Sequence, residues 1–402
     1  MRHGHGRVTV GCFDSSSSST AAQVDTLASG AVLVRNNTIG ADLPPAGWQV
    51  LELHRIGGAD GRDEATIFGR IDGLEIDHAG RVYVLDTRAT AVRVFGPDGE
   101  FLHSLGRRGS GPGEFGRPDG MVIGPDGRIW VRDSGNRRYA VFELDGTYHD
   151  TYRTSFGGGP WEPVIDPNGV FWEESITRLD LETGDARAVF LGLSPRNGRM
   201  EAVDTVERPP RIRGSVWTVE PATLAGTSIV QSGFVSVPFS AQVQERIDPR
   251  GGYWRGRTDA LQFVRVSARG DTVRIVERVA PPRRVTATDR ESAVRELTDR
   301  FGAGLRVEPE KIPQDMPYWS TFFLDPSFRL WVERYRPPGA VARQLRSWEV
   351  YDSSGVYLGV LELPLAGRPT PRLRNDRLVG VIEDELDVPF VVVLELRLGQ
   401  AI

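Results

Sequence analysis

Short runs in which apolar and polar residues alternate recur along the chain and predict β-strands. The runs RVYVLD at 81–86 and RIWVRD at 128–133 both alternate in this way, and each follows a tight turn that ends in glycine, Gly80 or Gly127. An apolar run precedes each of these turns, and two further strand-like runs follow. The pattern therefore predicts sets of four antiparallel strands, each set within about 45 residues.

The stretch 115–133 repeats the stretch 68–86, because ten of their nineteen aligned positions are identical without a gap. Four strands repeated at a spacing of 47 residues are typical of β-propeller blades. We expect one aromatic residue per blade, three positions after the first turn, to pack between neighbouring blades. Five blades show this residue, at Tyr83, Trp130, Trp172, Trp254 and Trp331.

A weaker sixth blade at the C-terminal end has only three candidate strands, near 371–374, 377–383 and 390–397. A propeller that does not close leaves a strand edge open to aggregation. The stretch 48–58 resembles a fourth strand and lies before the first full blade. We therefore predict an all-β, six-bladed β-propeller that is closed by an N-terminal strand in the last blade and carries one helical insertion.

We expect a flexible N-terminal tail at residues 1–46, followed by a single propeller domain at residues 47–402 with two insertions. The first insertion, at about 194–239, has the pattern of an extra hairpin, and a seventh, degenerate blade there is the alternative.

The second insertion, at about 281–317, contains the one predicted helix. Thr288 and Glu291 have the spacing of a capping box, and Val294, Leu297 and Phe301 form an apolar face.

Charge and composition exclude several classes of partner. The net charge of −5 argues against a nucleic-acid or anionic-membrane partner. There is no run of about 18 apolar residues, so we expect no transmembrane segment. A single cysteine, Cys12, allows no internal disulfide bond.

The sequence around Cys12 resembles the lipid-attachment site of a bacterial lipoprotein, with a small residue before the cysteine and a serine tract after it. Cys12 is therefore a candidate for lipid attachment. The eleven residues before it lack the apolar stretch of a signal peptide. Either the start is truncated or mis-assigned, or this segment is a disordered tail with a lone thiol.

The sequence shows no cluster of catalytic or metal-binding residues. The six histidines are scattered, and no Gly-x-Ser-x-Gly nucleophile motif occurs, so we predict no metal and no other cofactor. Asp86 and Asp133 end the second strands of two blades, where we expect them to accept hydrogen bonds from loop amides.

Connectors between blades, loops between second and third strands, and both insertions should emerge at one end of the propeller. Arginines are frequent there and could hold an anionic ligand or an acidic segment of a partner. The alternative is a solvated rim of Arg–Asp pairs. The candidate residues for the channel mouth are Arg70, Asp72, Arg117, Asp119, Arg137 and Arg257.

The stretch 106–146 resembles the NHL-type repeat, and the chain is most similar to bacterial envelope-associated six-bladed propellers. The resemblance implies a place in the cell envelope, periplasmic or extracellular and with a possible lipid anchor, and we expect a monomer. It favours non-catalytic binding or scaffolding, with a protein or an anionic small molecule as the partner. A lactonase-like or lyase-like enzyme with a site in the central channel is the alternative, so enzymatic activity stays an open question.

Overall fold

The computed structural model describes residues 22–37, 43–45, 47–58, 64–155, 164–179, 186–209, 215–220, 233–337, 345–384 and 388–397. Cys12, the candidate for lipid attachment, lies outside these residues.

The chain forms an all-β propeller of six blades, each built on four antiparallel strands. Before the first full blade come β1 (Gln23–Thr26), β2 (Val32–Asn36) and β3 (Gln49–Ile56). Blade 1 consists of β4 (Ile71–Ile76), β5 (Val82–Asp86), β6 (Ala91–Phe95) and β7 (Phe101–Leu105). Blade 2 consists of β8 (Pro118–Ile123), β9 (Ile129–Asp133), β10 (Arg138–Phe142) and β11 (Tyr148–Arg153). Blade 3 consists of β12 (Val164–Ile165), β13 (Phe171–Leu179), β14 (Ala186–Arg196) and β15 (Arg199–Glu207).

The second half of the chain contains the remaining blades and both insertions. The first insertion contains the hairpin β16 (Val216–Val219) and β17 (Gly233–Ser236). Blade 4 consists of β18 (Val243–Ile247), β19 (Tyr253–Arg257), β20 (Gln262–Val266) and β21 (Thr272–Arg278). The second insertion contains the helix α1 (Ala287–Phe301) and the 3-10 turns Gly302–Gly304 and Pro309–Lys311; a third such turn, Glu64–Thr66, precedes blade 1. Blade 5 consists of β22 (Trp319–Leu324), β23 (Leu330–Arg334), β24 (Arg346–Tyr351) and β25 (Tyr357–Leu363). Blade 6 begins with β26 (Arg372–Arg374), β27 (Arg377–Glu383) and β28 (Pro389–Arg397).

The predicted ring closure is confirmed. The strand β3 pairs antiparallel with β28, from Val391 opposite Ile56 to Arg397 opposite Gln49, and becomes the outer strand of blade 6. Ile56 is buried among apolar residues of blades 6 and 1. The two ends of the chain therefore share one sheet, which links them without a disulfide bond.

Part of the expected tail is folded. The strand β2 pairs in parallel with β21, and β1 pairs with β2, so blade 4 has six strands. Val34 of β2 is buried among residues of blades 4 and 5, and the Asn36 side chain donates to Gly355 O and accepts from Tyr357 N. The expectation of a flexible segment therefore does not hold for residues 23–36, because they form two paired strands, and Leu33, Val34 and Asn36 of the second strand are buried.

The aromatic register packs between blades, as predicted. These five side chains are between 0% and 7% exposed, and each belongs to a core shared by two consecutive blades. A feature that the sequence analysis missed is that each donates to an aspartate of its own first turn: Tyr83 to Asp77, Trp130 to Asp126, Trp172 to Asp166, Trp254 to Asp248 and Trp331 to Asp325. The buried polar edge of each ring is thus satisfied.

The insertion boundaries need correction. Residues 194–207 complete β14 and β15 of blade 3, so the first insertion follows Glu207, and its hairpin is a separate two-stranded sheet rather than a seventh blade.

The helix begins two residues earlier than expected. Thr286 is its N-cap, and Asp289 completes the capping box, so Thr288 already lies inside the first turn. Gly302 ends the helix. Within the described residues, no helix is both long and apolar enough to cross a bilayer.

Ring closure can be tested at β3. Replacing Ile56 with alanine should lower the free energy of unfolding by about 2–5 kcal/mol, because a buried contact between blades 6 and 1 is lost. The matched control is Leu53→Ala in the same strand, where the side chain is 42% exposed and the loss should stay below about 1 kcal/mol. Equal losses in urea unfolding of the two variants would contradict a closure that depends on β3.

Candidate ligand-binding site

Aspartates that end the second strands shape one end of the propeller, as predicted. Asp86 accepts from the amides of Gly69 (2.9 Å) and Arg70 (3.1 Å). Asp133 accepts in the same way from Gly116 (2.9 Å) and Arg117 (2.8 Å). The repeat therefore places Arg70 and Arg117 at equivalent positions in consecutive blades, with both residues exposed.

The remaining candidate residues lie at the same end because each blade is antiparallel, but their environments differ. Asp72 forms an ion pair with Arg70 at 2.9 Å. Asp119 accepts from Arg132 instead, at 2.8 Å, and is partly buried. Arg137 is exposed in the loop after β9, and Arg257 ends β19 and pairs with Asp259.

The two insertions form one structure, here called the cap, which comprises residues 215–220, 233–239 and 281–317. Its own apolar core contains Trp217 and Phe239 from the first insertion and Ala293 and Leu305 from the second. Hydrogen bonds join the insertions as well, including one from Trp217 Nε1 to the Glu308 carbonyl at 3.1 Å. Because both insertions connect a fourth strand to the next first strand, the cap rises from the end of the propeller that carries the candidate residues.

A cavity of about 1260 Å³ lies between the cap and blade 4. The innermost strand of blade 4 contributes Val243 and Glu245, the next strand contributes Arg255 and Arg257, and the blade 5–6 connector contributes Arg368. The cap contributes apolar, hydroxyl and amide groups, among them Phe234, Ser236 and Gln314, and Tyr318 follows the cap in the chain. Of the six candidate residues from the sequence, Arg257 lines this cavity, whereas the other five lie in blades 1 and 2.

The acidic side chains of the cavity already have arginine partners. Glu245 pairs with the buried Arg208 at 2.8 Å, and the guanidinium of Arg208 also lies 4.4 Å from the ring of Phe190. Asp259 pairs with Arg257, and Asp315 pairs with Arg284 at 3.0 Å.

Two arginines of the cavity differ from the others. Neither Arg255 nor Arg368 forms an ion pair with any residue in the described part of the chain. Arg255 nevertheless lies opposite Glu245 in the adjacent strand, and Arg368 interacts electrostatically with Glu333. These two guanidinium groups are therefore loosely rather than directly paired. Sequence reasoning missed both residues: Arg255 lies inside a strand, and Arg368 lies in a connector without the repeat motif.

Buried charge also lies between blades 2 and 3. Arg132 (blade 2) contacts Asp119 of its own blade and Glu173 of blade 3, the latter at 3.4 Å. Burial raises the pKa of Glu173 to about 7, because Arg132 offsets only part of the desolvation and Asp119 adds repulsion. Burial likewise raises the pKa of Glu75, which accepts from Arg372 across the junction of blades 1 and 6.

Metal-binding groups are not clustered in the described ranges, where no three His, Cys, Asp or Glu side chains are placed to share an ion.

Comparison with known proteins supports the fold. The model of the family DUF5128, described as a six-bladed beta-propeller, matches residues 62–157, which contain blades 1 and 2. No curated protein sequence matches the chain.

Among solved structures, a Bacteroides fragilis protein thought to be exported is similar at 11% identity and a TM-score of 0.45, over 92% of this chain and 99% of that one. Virginiamycin B lyase from Staphylococcus aureus is similar at 12% identity and a TM-score of 0.42, over 87% and 98%. A gluconolactonase from Xanthomonas campestris is similar at 12% identity and a TM-score of 0.40, over 88% and 91%. Similarities this distant carry no argument about activity.

The raised pKa of Glu173 makes stability depend on pH in a defined direction. The folded state holds the proton more tightly than the unfolded state, whose value is near 4.5, so stability is lost as pH rises from about 4.5 to about 7. Replacing Glu173 with glutamine should therefore stabilise the protein at pH 8 relative to pH 5, by on the order of 2–3 kcal/mol. Urea unfolding of both proteins at the two pH values measures this difference.

Asp119→Asn provides the matched control for Glu173→Gln. This substitution removes the repulsion between Asp119 and Glu173 and leaves Arg132 to pair with Glu173 alone. The pKa of Glu173 should therefore fall, and the free energy of unfolding should depend less on pH than in the wild type. A Glu173→Gln effect of equal size at pH 5 and pH 8 would show that Glu173 does not titrate in this range.

Proposed function

We propose that this protein is a non-catalytic binding or scaffolding propeller of the bacterial cell envelope that uses the Arg-rich face around its channel mouth. The observation that carries the proposal is the cavity beneath the cap, which is lined by Arg255 and Arg368, two arginines that form no direct ion pair among the described residues. A guanidinium group binds carboxylate or phosphate through a planar pair of hydrogen bonds, so a ligand anion would supply the direct partner that these arginines do not have among the described residues.

The exposed ion pairs of the rim are a poor explanation for the abundance of arginine. The side chains of Arg70 and Asp72 are 71% and 31% exposed, and pairs of this kind contribute about 0–1 kcal/mol to stability. A role in attracting and orienting an anion requires no net stabilisation from the rim. We therefore propose that the mouth of the central channel is surrounded by Arg70, Asp72, Arg117, Asp119, Arg137 and Arg257. Either a small anion or an acidic protein segment would bind at this mouth.

The cellular placement rests on the sequence. The small residue before Cys12 and the serine tract after it support lipid attachment at this cysteine, which would tether the propeller to a membrane surface in the periplasm or outside the cell. We propose that the tethered propeller acts as a monomer, in line with the NHL-type resemblance.

The cavity arginines can be tested directly. A thermal-shift panel of small organic anions and short Asp-rich peptides should contain ligands that raise the melting temperature of the wild-type protein. The double variant Arg255→Ala, Arg368→Ala should bind these ligands at least about tenfold more weakly, since each charge-assisted hydrogen bond contributes roughly 1.5–3 kcal/mol. Arg269→Ala, at an exposed β20–β21 turn on the opposite end of blade 4, is the control. Ligands that bind the double variant and the wild type equally would refute the proposed site.

The rim arginines should act differently from the cavity arginines. Replacing Arg70 and Arg117 with alanine should slow association of an anionic ligand, and this difference should diminish in high salt, because exposed charges act at a distance that salt screens. The melting temperature should stay within a few degrees of the wild type. If the variant and the wild type associate with the ligand at the same rate at low salt, Arg70 and Arg117 do not attract the ligand and are only solvated surface residues.

A further inference from the structure

The wall of the cavity combines two arginines that form no direct ion pair among the described residues, Arg255 and Arg368, with exposed apolar surface. Phe234 of the cap hairpin is 57% exposed, and Val243 of the innermost strand of blade 4 is 43% exposed, and both line the cavity. Phe239 and Met316 extend this wall from the core of the cap. Apolar side chains that face water favour a ligand that covers them, since covering them releases ordered water.

We infer that the cavity binds an organic anion with an apolar body, such as an acyl or aryl carboxylate or an alkyl phosphate. The inference rests on the proposed function, because it assigns a ligand class to the same site. The anionic group would lie at Arg255 and Arg368, which come from blade 4 and from the blade 5–6 connector. The apolar body would contact Phe234 and Val243.

The charges that line the cavity and the volume of the cavity both limit which anions can bind. Glu245, Asp259 and Asp315 are paired with arginines but still line the cavity as carboxylates, so they would repel a ligand with many negative charges. A volume of about 1260 Å³ is larger than an inorganic ion needs and is sufficient for a drug-sized molecule. A single anionic group on a bulky apolar body fits both constraints, whereas a polyphosphate or a free phosphate ion fits neither well.

The decisive experiment is calorimetric titration of the full chain with a series of straight-chain carboxylates from acetate to decanoate, each below its micelle concentration. Octanol is the neutral comparison, and octyl phosphate and inorganic phosphate test the anionic group. Affinity should rise about two- to fourfold with each added methylene, because each buried methylene contributes favourably. Octanol should bind at least about tenfold more weakly than octanoate.

Two sets of variants separate the two parts of the site. Arg255→Ala with Arg368→Ala should abolish the preference for octanoate over octanol. Phe234→Ser with Val243→Thr should flatten the dependence on chain length, leaving octanoate little tighter than acetate. Val279→Ser, at a side chain that is 80% exposed and is not part of the cavity wall, is the control for the apolar variants. Circular dichroism and melting temperature show whether each variant is folded.

The outcomes distinguish the inference from the proposed function. Anions that bind independently of chain length, but only when Arg255 and Arg368 are present, would overturn the apolar-body inference and leave an anion-binding propeller. Wild-type protein that binds none of the carboxylates or octyl phosphate would also overturn it, and the Asp-rich peptides of the earlier panel then decide the proposed function separately. Carboxylate binding that neither set of variants changes would place the ligand elsewhere and overturn both.

Discussion

Each blade of this propeller buries its apolar faces only against its two neighbours, so the packed ring depends on closure. In five blades, the aromatic residue that follows the first turn and the apolar residues around it belong to cores that two consecutive blades share. Between blades 6 and 1 the same role falls to residues from both ends of the chain, such as Ile56 and Val391. An unclosed ring would expose two of these faces and a strand edge at once.

The N-terminal segment extends this closure beyond one strand. It adds β2 to blade 4, its Leu43 carbonyl accepts from Val360 N in the outer strand of blade 5, and it then supplies β3 to blade 6. One segment is therefore joined to three consecutive blades by backbone hydrogen bonds. The chain has a single cysteine and therefore no internal disulfide bond. Backbone hydrogen bonds, rather than a covalent cross-link, hold the N-terminal segment to these blades.

Buried ion pairs link neighbouring blades, and burying these charges costs desolvation free energy. Arg132 joins blades 2 and 3, Arg208 joins blades 3 and 4, and Arg278 joins blades 4 and 5, in each case through a glutamate. Removing such charges from water offsets much of their attraction, so these pairs are better understood as fixing how neighbouring blades align than as a large source of stability. The raised pKa of Glu173 reflects the same cost, since one arginine there faces two carboxylates. The two insertions flank blade 4 in the chain, and the cavity lies between that blade and the cap that they form.

Several features of the protein followed from the sequence alone, because they depend on local patterns. Alternation and turn glycines predicted the strands, the repeat of 68–86 at 115–133 predicted the blades, and a missing strand in the last blade predicted the role of 48–58. Asp86 and Asp133 could likewise be assigned to loop amides from their place at strand ends. The tertiary structure decided what depends on residues far apart in the chain. It joined two insertions into one cap, placed β2 against blade 4, and left Arg255 and Arg368 without a direct ion pair in the described part of the chain. A local pattern cannot predict these features, because whether an arginine is neutralised depends on which distant carboxylates the fold places beside it.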